Sequence, residues 1–176
     1  MKLSEIFLSE FDQEMGNTRK TLERVPDGRM DWAPHEKSMK MGRLAGHLAE
    51  IPMWAQMTIE RDSVDIAPTS GPAPQPLIGQ SRQQVLDAFD SNVKAARAAI
   101  AATSDDDLMK PWSLLAGGNT IMTLPRAACF RTFVMNHMIH HRAQMGVYLR
   151  LNNVAVPSIY GPSADEGQMF GAASAR

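Results

Sequence analysis

The sequence of 176 residues contains a single cysteine, Cys129. A lone cysteine closes no intramolecular disulfide and supplies no cysteine-rich zinc site, and such sparing use suits a reducing compartment. With nothing basic placed to activate it, Cys129 is read as a buried, inert thiol rather than a nucleophile. Aromatic residues are also scarce, with two Tyr and six Phe against thirteen Met. Unbranched, polarisable methionine is read as the adaptable core filler in their place. Charge of either sign is not in excess: eighteen Lys and Arg face nineteen Asp and Glu, a formal charge of -1. That balance gives no support for partners such as nucleic acid or an anionic membrane. No stretch approaches the ~18 apolar residues of a membrane span. Glu5, Glu10, Asp12 and Glu14 interrupt the N-terminal segment before a signal-peptide core can form. A cytoplasmic protein is therefore expected. Glycine-rich phosphate loops, the GxSxG nucleophile elbow and the HExxH zincin helix are missing as well.

What is present is an ordinary globular composition, 44% apolar and 21% charged, in a length that suits one domain. Residues 1–166 are read as that domain and 167–176 as a flexible C-terminal tail. Four segments carry helical periodicity. Leu3, Ile6, Phe7, Phe11, Met15 and Leu22 form the first stripe, closed by Pro26-Asp27-Gly28. The second follows Ser38, a candidate N-cap, and runs through Leu44, His47, Leu48, Ile51, Ala55 and Thr58, with a bend expected at Pro52. Residues 61–80 hold Pro68, Pro72, Pro74 and Pro76 and read as an irregular linker. A connection so long has a reason if it is the crossover that lets two helices run parallel. Ser81 and Gln84 have capping-box form ahead of a third stripe, Val85, Phe89, Val93, Ala96 and Ile100. Residues 108–124 are irregular or weakly β, with Gly117-Gly118-Asn119 as the turn of a small hairpin. Pro125 opens a fourth helix to about Leu151, with Phe130, Phe133, Val134, His137, His141, Met145 and Tyr148 inward. Val154, Val156 and Ile159 then give the end of the chain apolar anchors over the helices. The economical solution is all-α, a four-helix bundle with a long crossover linker between helices two and three.

The chemistry lies in the histidines. His137 and His141 are four residues apart, so their directions on a helix differ by only ~40° and both project from one face. His47 occupies the apolar stripe of another helix. If those helices are neighbours, three neutral imidazoles can bind zinc, nickel or a similar ion and leave positions for water or substrate. The competing reading is three hydrogen-bonded core histidines with no metal. His140 is three residues from His137 and offers a second clamp. The apolar stripe favours His141, which leaves His140 at the edge, as a supporting partner of the site, a proton-relay group, or merely a solvent-facing ring. Glu50, one turn after His47, is the candidate to orient a ligand or act as a base, against the commoner reading of a solvated surface carboxylate. His35 reads as a surface residue of a loop, and Trp32, Trp54 and Trp112 read as packing residues, one of them available to a pocket mouth.

The run Asn136-His137-Met138-Ile139-His140-His141-Arg142-Ala143-Gln144-Met145-Gly146-Val147-Tyr148 resembles the last helix of the DinB-like (DinB/YfiT) superfamily of metalloproteins, as does the exit from Val156-Pro157 to Asp165-Glu166. Trp32-Ala33-Pro34, Lys37-Ser38 and Leu44-Ala45-Gly46-His47-Leu48 resemble that family's entry to its second helix. The resemblance implies an up-down-down-up helix order and a divalent metal on His47, His137 and His141. It also implies homodimers, and enzymes that use low-molecular-weight thiols as S-transferases or isomerases. Two function classes follow. One is a metal-dependent enzyme in which the metal activates a thiol or water for a small-molecule substrate, with His140 and Glu50 moving protons. The other is a non-catalytic metal-binding stress-response module, in which the ion stabilises the fold or a dimer.

Overall fold

The computed structural model describes residues 2–71 and 74–167. The expected flexible tail, 167–176, lies outside them apart from Gly167. The elements are α1 (Leu3–Leu22), a 3-10 turn (Asp27–Arg29), α2 (Met41–Glu60), β1 (Ser63–Asp65), α3 (Arg82–Ala102), α4 (Asp105–Met109), β2 (Pro111–Ala116), β3 (Asn119–Pro125), α5 (Arg126–Cys129), a π-helical stretch (Phe130–Asn136) and α6 (His137–Leu151). Among the described residues no helix is long and apolar enough to cross a membrane.

α2 packs on α3 and on α6, and α1 packs on the same two. Side-chain pairs give the directions. Asp12 meets Arg97 and Arg19 meets Asp90, so α1 and α3 are antiparallel. Met39 lies at Tyr148, and Arg61 at Arg126, so α2 opposes the last helix. Glu10 meets Arg131 and Glu14 meets Arg142, so α1 shares the last helix's direction. α2 and α3 therefore both run opposite to α1, and the linker carries the chain back between them. Phe11, Leu44, Leu48, Ile51, Phe89, Phe130 and Met138 fill the shared interior. Methionine does fill it where aromatics are few: Met15, Met41, Met135, Met138 and Met145 are all buried.

The all-α expectation is corrected by a small mixed sheet in the order β1-β2-β3. The hairpin β2–β3 turns at Gly117 and Gly118, both at positive φ, where a side chain would be strained. β1 forms inside the linker, where prolines were expected to forbid regular structure, and pairs in parallel with β2. Ser63–Asp65 precedes the first of those prolines, so its backbone is free to join a ladder supplied from fifty residues away. The second helix starts later than expected, with Lys40 rather than Ser38 at the N-cap. The backbone N–H of Ser38 instead donates to His35 in a tight turn. The third helix has half of its expected box: Ser81 accepts from the Gln84 N–H at 3.2 Å, while the Gln84 side chain accepts from Gln80.

The linker is held to α2 by two missing side chains. A Cβ on Gly42 would stand 2.4 Å from the Gly79 carbonyl oxygen, and one on Gly46 would stand 2.1 Å from that of Leu77. Those contacts place residues 74–79 alongside the start of α2, next to His47.

Past Leu151 the chain does fold back. The Tyr160 hydroxyl donates to Glu14 at 2.7 Å, Asp165 pairs with Arg150 at 2.5 Å, and Glu166 pairs with Arg24. Beneath them Arg142 and Glu14 form a buried ion pair at 2.6 Å, each almost fully enclosed. Arg142 therefore belongs to packing.

Candidate metal centre

α2 and α6 are neighbours, and their contact brings three histidines together. Nε2 of His137 lies 3.2 Å from Nε2 of His47 and 2.9 Å from Nε2 of His141. The three offer ligand atoms all within 4.8 Å of one another. Nitrogens bound at ~2.0–2.1 Å to one ion stand roughly 2.8–3.4 Å apart between octahedral and tetrahedral angles, a range that holds both of these pairs. His141 is 7% exposed, and the side chain of His47 is 16% exposed.

The second nitrogens of His141 and His47 are turned outward to polar neighbours. Nδ1 of His141 is 2.7 Å from the Gln144 side-chain oxygen. The His137 ring bonds to the Phe133 carbonyl, within the π-helical stretch. The wider π turn sits one residue before the first helix-borne histidine, a placement common at functional sites. Nδ1 of His47 is 3.5 Å from Glu50 Oε2 and 3.5 Å from an Arg43 nitrogen, at the outer limit for hydrogen bonds. Ring hydrogens placed outward leave three acceptor lone pairs facing one another with no donor between them. A cation satisfies that arrangement, and a satisfied second nitrogen is the usual setting of a metal-binding histidine.

Burial lowers the His141 ring to about 4, with the neighbouring imidazoles adding to the effect and Gln144 opposing it. Burial, then the His47 ring, lowers His137, while the Phe133 carbonyl acts against them. Both are neutral at pH 7, the form that binds metal. Glu50 is not surface: its side chain is 17% exposed. Burial works to raise its pKa, but the His47 ring, the Leu77 N–H and the Arg43 guanidinium together hold it below its ordinary value. Arg43 donates to Oε2 at 3.0 Å, and the Leu77 N–H donates to Oε1. His140 is exposed, its ring 4.8 Å from that of His141, and its Nε2 accepts from the Gln144 amide at 3.1 Å. Gln144 thus bridges His140 and His141.

A cavity of about 420 Å³ opens beside His47 and Glu50, walled by Met53, Trp54 and Met57 of α2, by residues 63–66 and by Pro74–Pro76. Trp54 is the tryptophan that reaches a pocket, whereas Trp112 is buried and Trp32 packs edge-on against Tyr148. A separate cavity of about 440 Å³ between α6 and the returning chain touches none of the three histidines. His35 lies in an exposed loop. Cys129 is buried and its thiol is pushed up by burial, as an inert thiol should be.

Gln144, Arg43 and the Phe133 carbonyl had no role in the sequence reading. Gln144 was the most accessible of them, because it lies three residues after His141 on one helix. Arg43 precedes His47 by one turn. The π turn leaves no pattern in residue types. Its consequence is visible in burial: Met135 and Met138 are fully enclosed, and Phe133, expected inward, is only half-buried.

The family model described as the DinB family matches residues 1–173. The uncharacterized protein YrdA of Bacillus subtilis (strain 168) is 26% identical over 165 residues, covering 94% of this chain and 92% of that protein. Among solved structures, a DinB-like protein from Bacillus cereus ATCC 10987 superposes with a TM-score of 0.68 at 23% identity, covering 89% of this chain and 97% of that one. The DinB-like protein YjoA from Bacillus subtilis gives a TM-score of 0.65 at 16% identity, covering 87% and 96%. At those identities the two structures establish likeness of fold.

Proposed function

The chain belongs to the DinB family, and from that premise we propose that it is a divalent-metal-binding protein with His47, His137 and His141 as ligands and zinc or nickel as the ion. In this reading it is a metal-dependent enzyme on a small-molecule substrate, activating a low-molecular-weight thiol or water in the manner of a thiol S-transferase. The observation that carries the reading is the convergence of three imidazole Nε2 atoms at 2.9 and 3.2 Å beside a cavity. A divalent ion there supplies a lowered pKa to a thiol or water at an open position.

The chain's own residues do the rest. Gln144 and the Phe133 carbonyl orient the rings of His141 and His137. Glu50, ionised and with both oxygens engaged, is a positioning residue for His47. His140 is the exposed ring that accepts a proton at Nε2 when the Gln144 amide turns away, passing it between site and solvent. Met53, Trp54 and Met57 keep water from one wall of the cavity. Homodimerisation and a cytoplasmic location belong to the same proposal.

The alternative, a non-catalytic metal-binding stress-response module, asks for a closed coordination shell. Among the described residues no fourth His, Cys, Asp or Glu joins the three, which favours an open position. Metal quantification on untagged protein, followed by thiol-transfer assays with several low-molecular-weight thiols, tests both. One zinc or nickel per chain, lost in His137→Ala, is expected. Failure to take up either ion overturns the ligand assignment. Stoichiometric metal with no turnover on any thiol supports the module instead.

A further inference from the structure

The cavity beside His47 is long rather than round: its α2 wall runs from Arg43 to Met57, and Arg61, the residue directly after the helix, lines it further on. Residues 47 to 60 span about 20 Å of helix axis at ~1.5 Å per residue, and Arg61 follows in extended conformation. The Arg61 side chain lines the groove from there, at the end remote from the histidines. The floor between is apolar, and it includes two of the protein's exposed large hydrophobic residues, Met53 at 36% and Ile66 at 43%. Two such residues facing one groove point to an apolar occupant.

The charges along the groove are not equally available. Arg43 and Glu50 pair with each other. The Asp65 carboxylate accepts from the backbone N–H groups of Ala67, Gly117 and Gly118. Arg61 is exposed, and among the described residues its guanidinium has no hydrogen bond or ion pair; its engaged groups are backbone, the carbonyl accepting from Arg126 and the N–H donating to Met57. The one uncommitted charge of the groove is thus a cation at the end remote from the histidines.

We infer that this groove takes an elongated amphipathic carboxylate, its anionic end on Arg61, its apolar body over Met53 and Ile66, and its other end at the three histidines. Arg61 is then a specificity-determining residue. The proposed function enters only in what sits at the histidine end, where a metal-binding head such as a thiol would lie.

Tryptophan fluorescence, with Trp54 in the groove wall, reads the binding of decanoate and of decan-1-ol to the protein at pH 7.5. Decanoate is expected to bind at least ~10-fold tighter, because its carboxylate makes charge-assisted hydrogen bonds with the guanidinium. Arg61→Gln should reduce decanoate to the affinity of the alcohol and leave the alcohol unchanged. Arg61→Lys should keep part of the preference. Met53→Glu should weaken both ligands. Equal binding of acid and alcohol by the unmodified protein, or an undiminished preference in Arg61→Gln, overturns the assignment. So does unaltered binding in Met53→Glu, which would put the ligand elsewhere. A metal arm compares 11-mercaptoundecanoate with undecanoate on zinc-loaded and zinc-free protein. The thiol should bind tighter only when zinc is present. If the two bind alike while the Arg61 preference stands, the metal reading fails and the groove assignment survives.

Discussion

The Gln144 side-chain oxygen stands 2.7 Å from Nδ1 of His141, and this contact selects which ring nitrogen faces His137. A hydrogen on Nδ1 leaves Nε2 with its lone pair toward the other two rings. Because Gln144 itself is exposed, it can be changed with little cost to packing. Gln144→Leu is expected to weaken zinc binding by ~10–100-fold, the usual loss when an outer partner of a ligand is removed. Chelator-competition titrations of the folded variant measure it, and unchanged affinity would contradict the orienting role.

His141→Ala and His140→Ala separate the two adjacent rings. Loss of His141 removes one of three metal bonds and should lower affinity by orders of magnitude. Loss of His140 leaves all three Nε2 atoms in place and should fall in the milder range or have no effect. The reverse result would assign the clamp to His137 and His140.

In the metal-free protein the His141 ring is held at about 4, against ~6.5 for a histidine in an unfolded chain. Between those values the unfolded chain binds the proton and the folded one does not, so stability falls as pH drops. The decline begins near pH 6.5 and continues until pH passes the folded value. His137, also lowered, acts in the same direction over the same range, and Glu50, lowered from its ordinary value near 4.5, adds to the decline only below it. Urea midpoints of the metal-free protein should therefore fall between pH 7 and pH 4.5. His141→Asn should flatten that slope, and a slope unchanged in the variant would place its origin elsewhere.

Gly46→Ala puts a methyl against the Leu77 backbone, 2.1 Å from its carbonyl oxygen. The linker must shift, at a cost of about 1–3 kcal/mol, and the Leu77 N–H that engages Glu50 moves with it. Gly16→Ala is the control: nothing lies within 4 Å of its added Cβ in α1, and it should stabilise by about 0.5–1 kcal/mol through helix propensity. Thermal unfolding of the two variants should move in opposite directions.

Glu14→Ala strips the partner from buried Arg142 and leaves its charge uncompensated, at a cost of about 3–5 kcal/mol. Tyr160→Phe removes only one hydroxyl, for about 0.5–1.5 kcal/mol. Amide exchange should speed up from Val154 onward in the second variant while α1 stays protected. Uniform acceleration through α1 would show that the hydroxyl supports the whole core.

Local patterns made much of this protein legible. The four long helices follow from apolar periodicity, and the Gly117-Gly118 turn announced the hairpin. The pairing of His137 with His141 is a property of any α-helix at that spacing. The weak spots were those where partners come from far along the chain. β1 is three residues whose only reason to be a strand is the edge of β2. Glu50 resembles any surface carboxylate until the linker returns to lay Leu77 across it.

The sequence alone determined the donor chemistry: three imidazoles on apolar stripes, one cysteine with no activating neighbour, and no excess charge. It could do so because residue type and helical phase are local quantities. Tertiary structure decided that α2 lies against α6, so that His47 meets the other two rings. It also decided that a π turn resets the phase ahead of His137, that Gly42 and Gly46 admit the linker backbone, and that Arg61 is left uncommitted at the end of a groove. Each of these depends on which surfaces exclude water from one another, a balance struck between segments thirty to ninety residues apart.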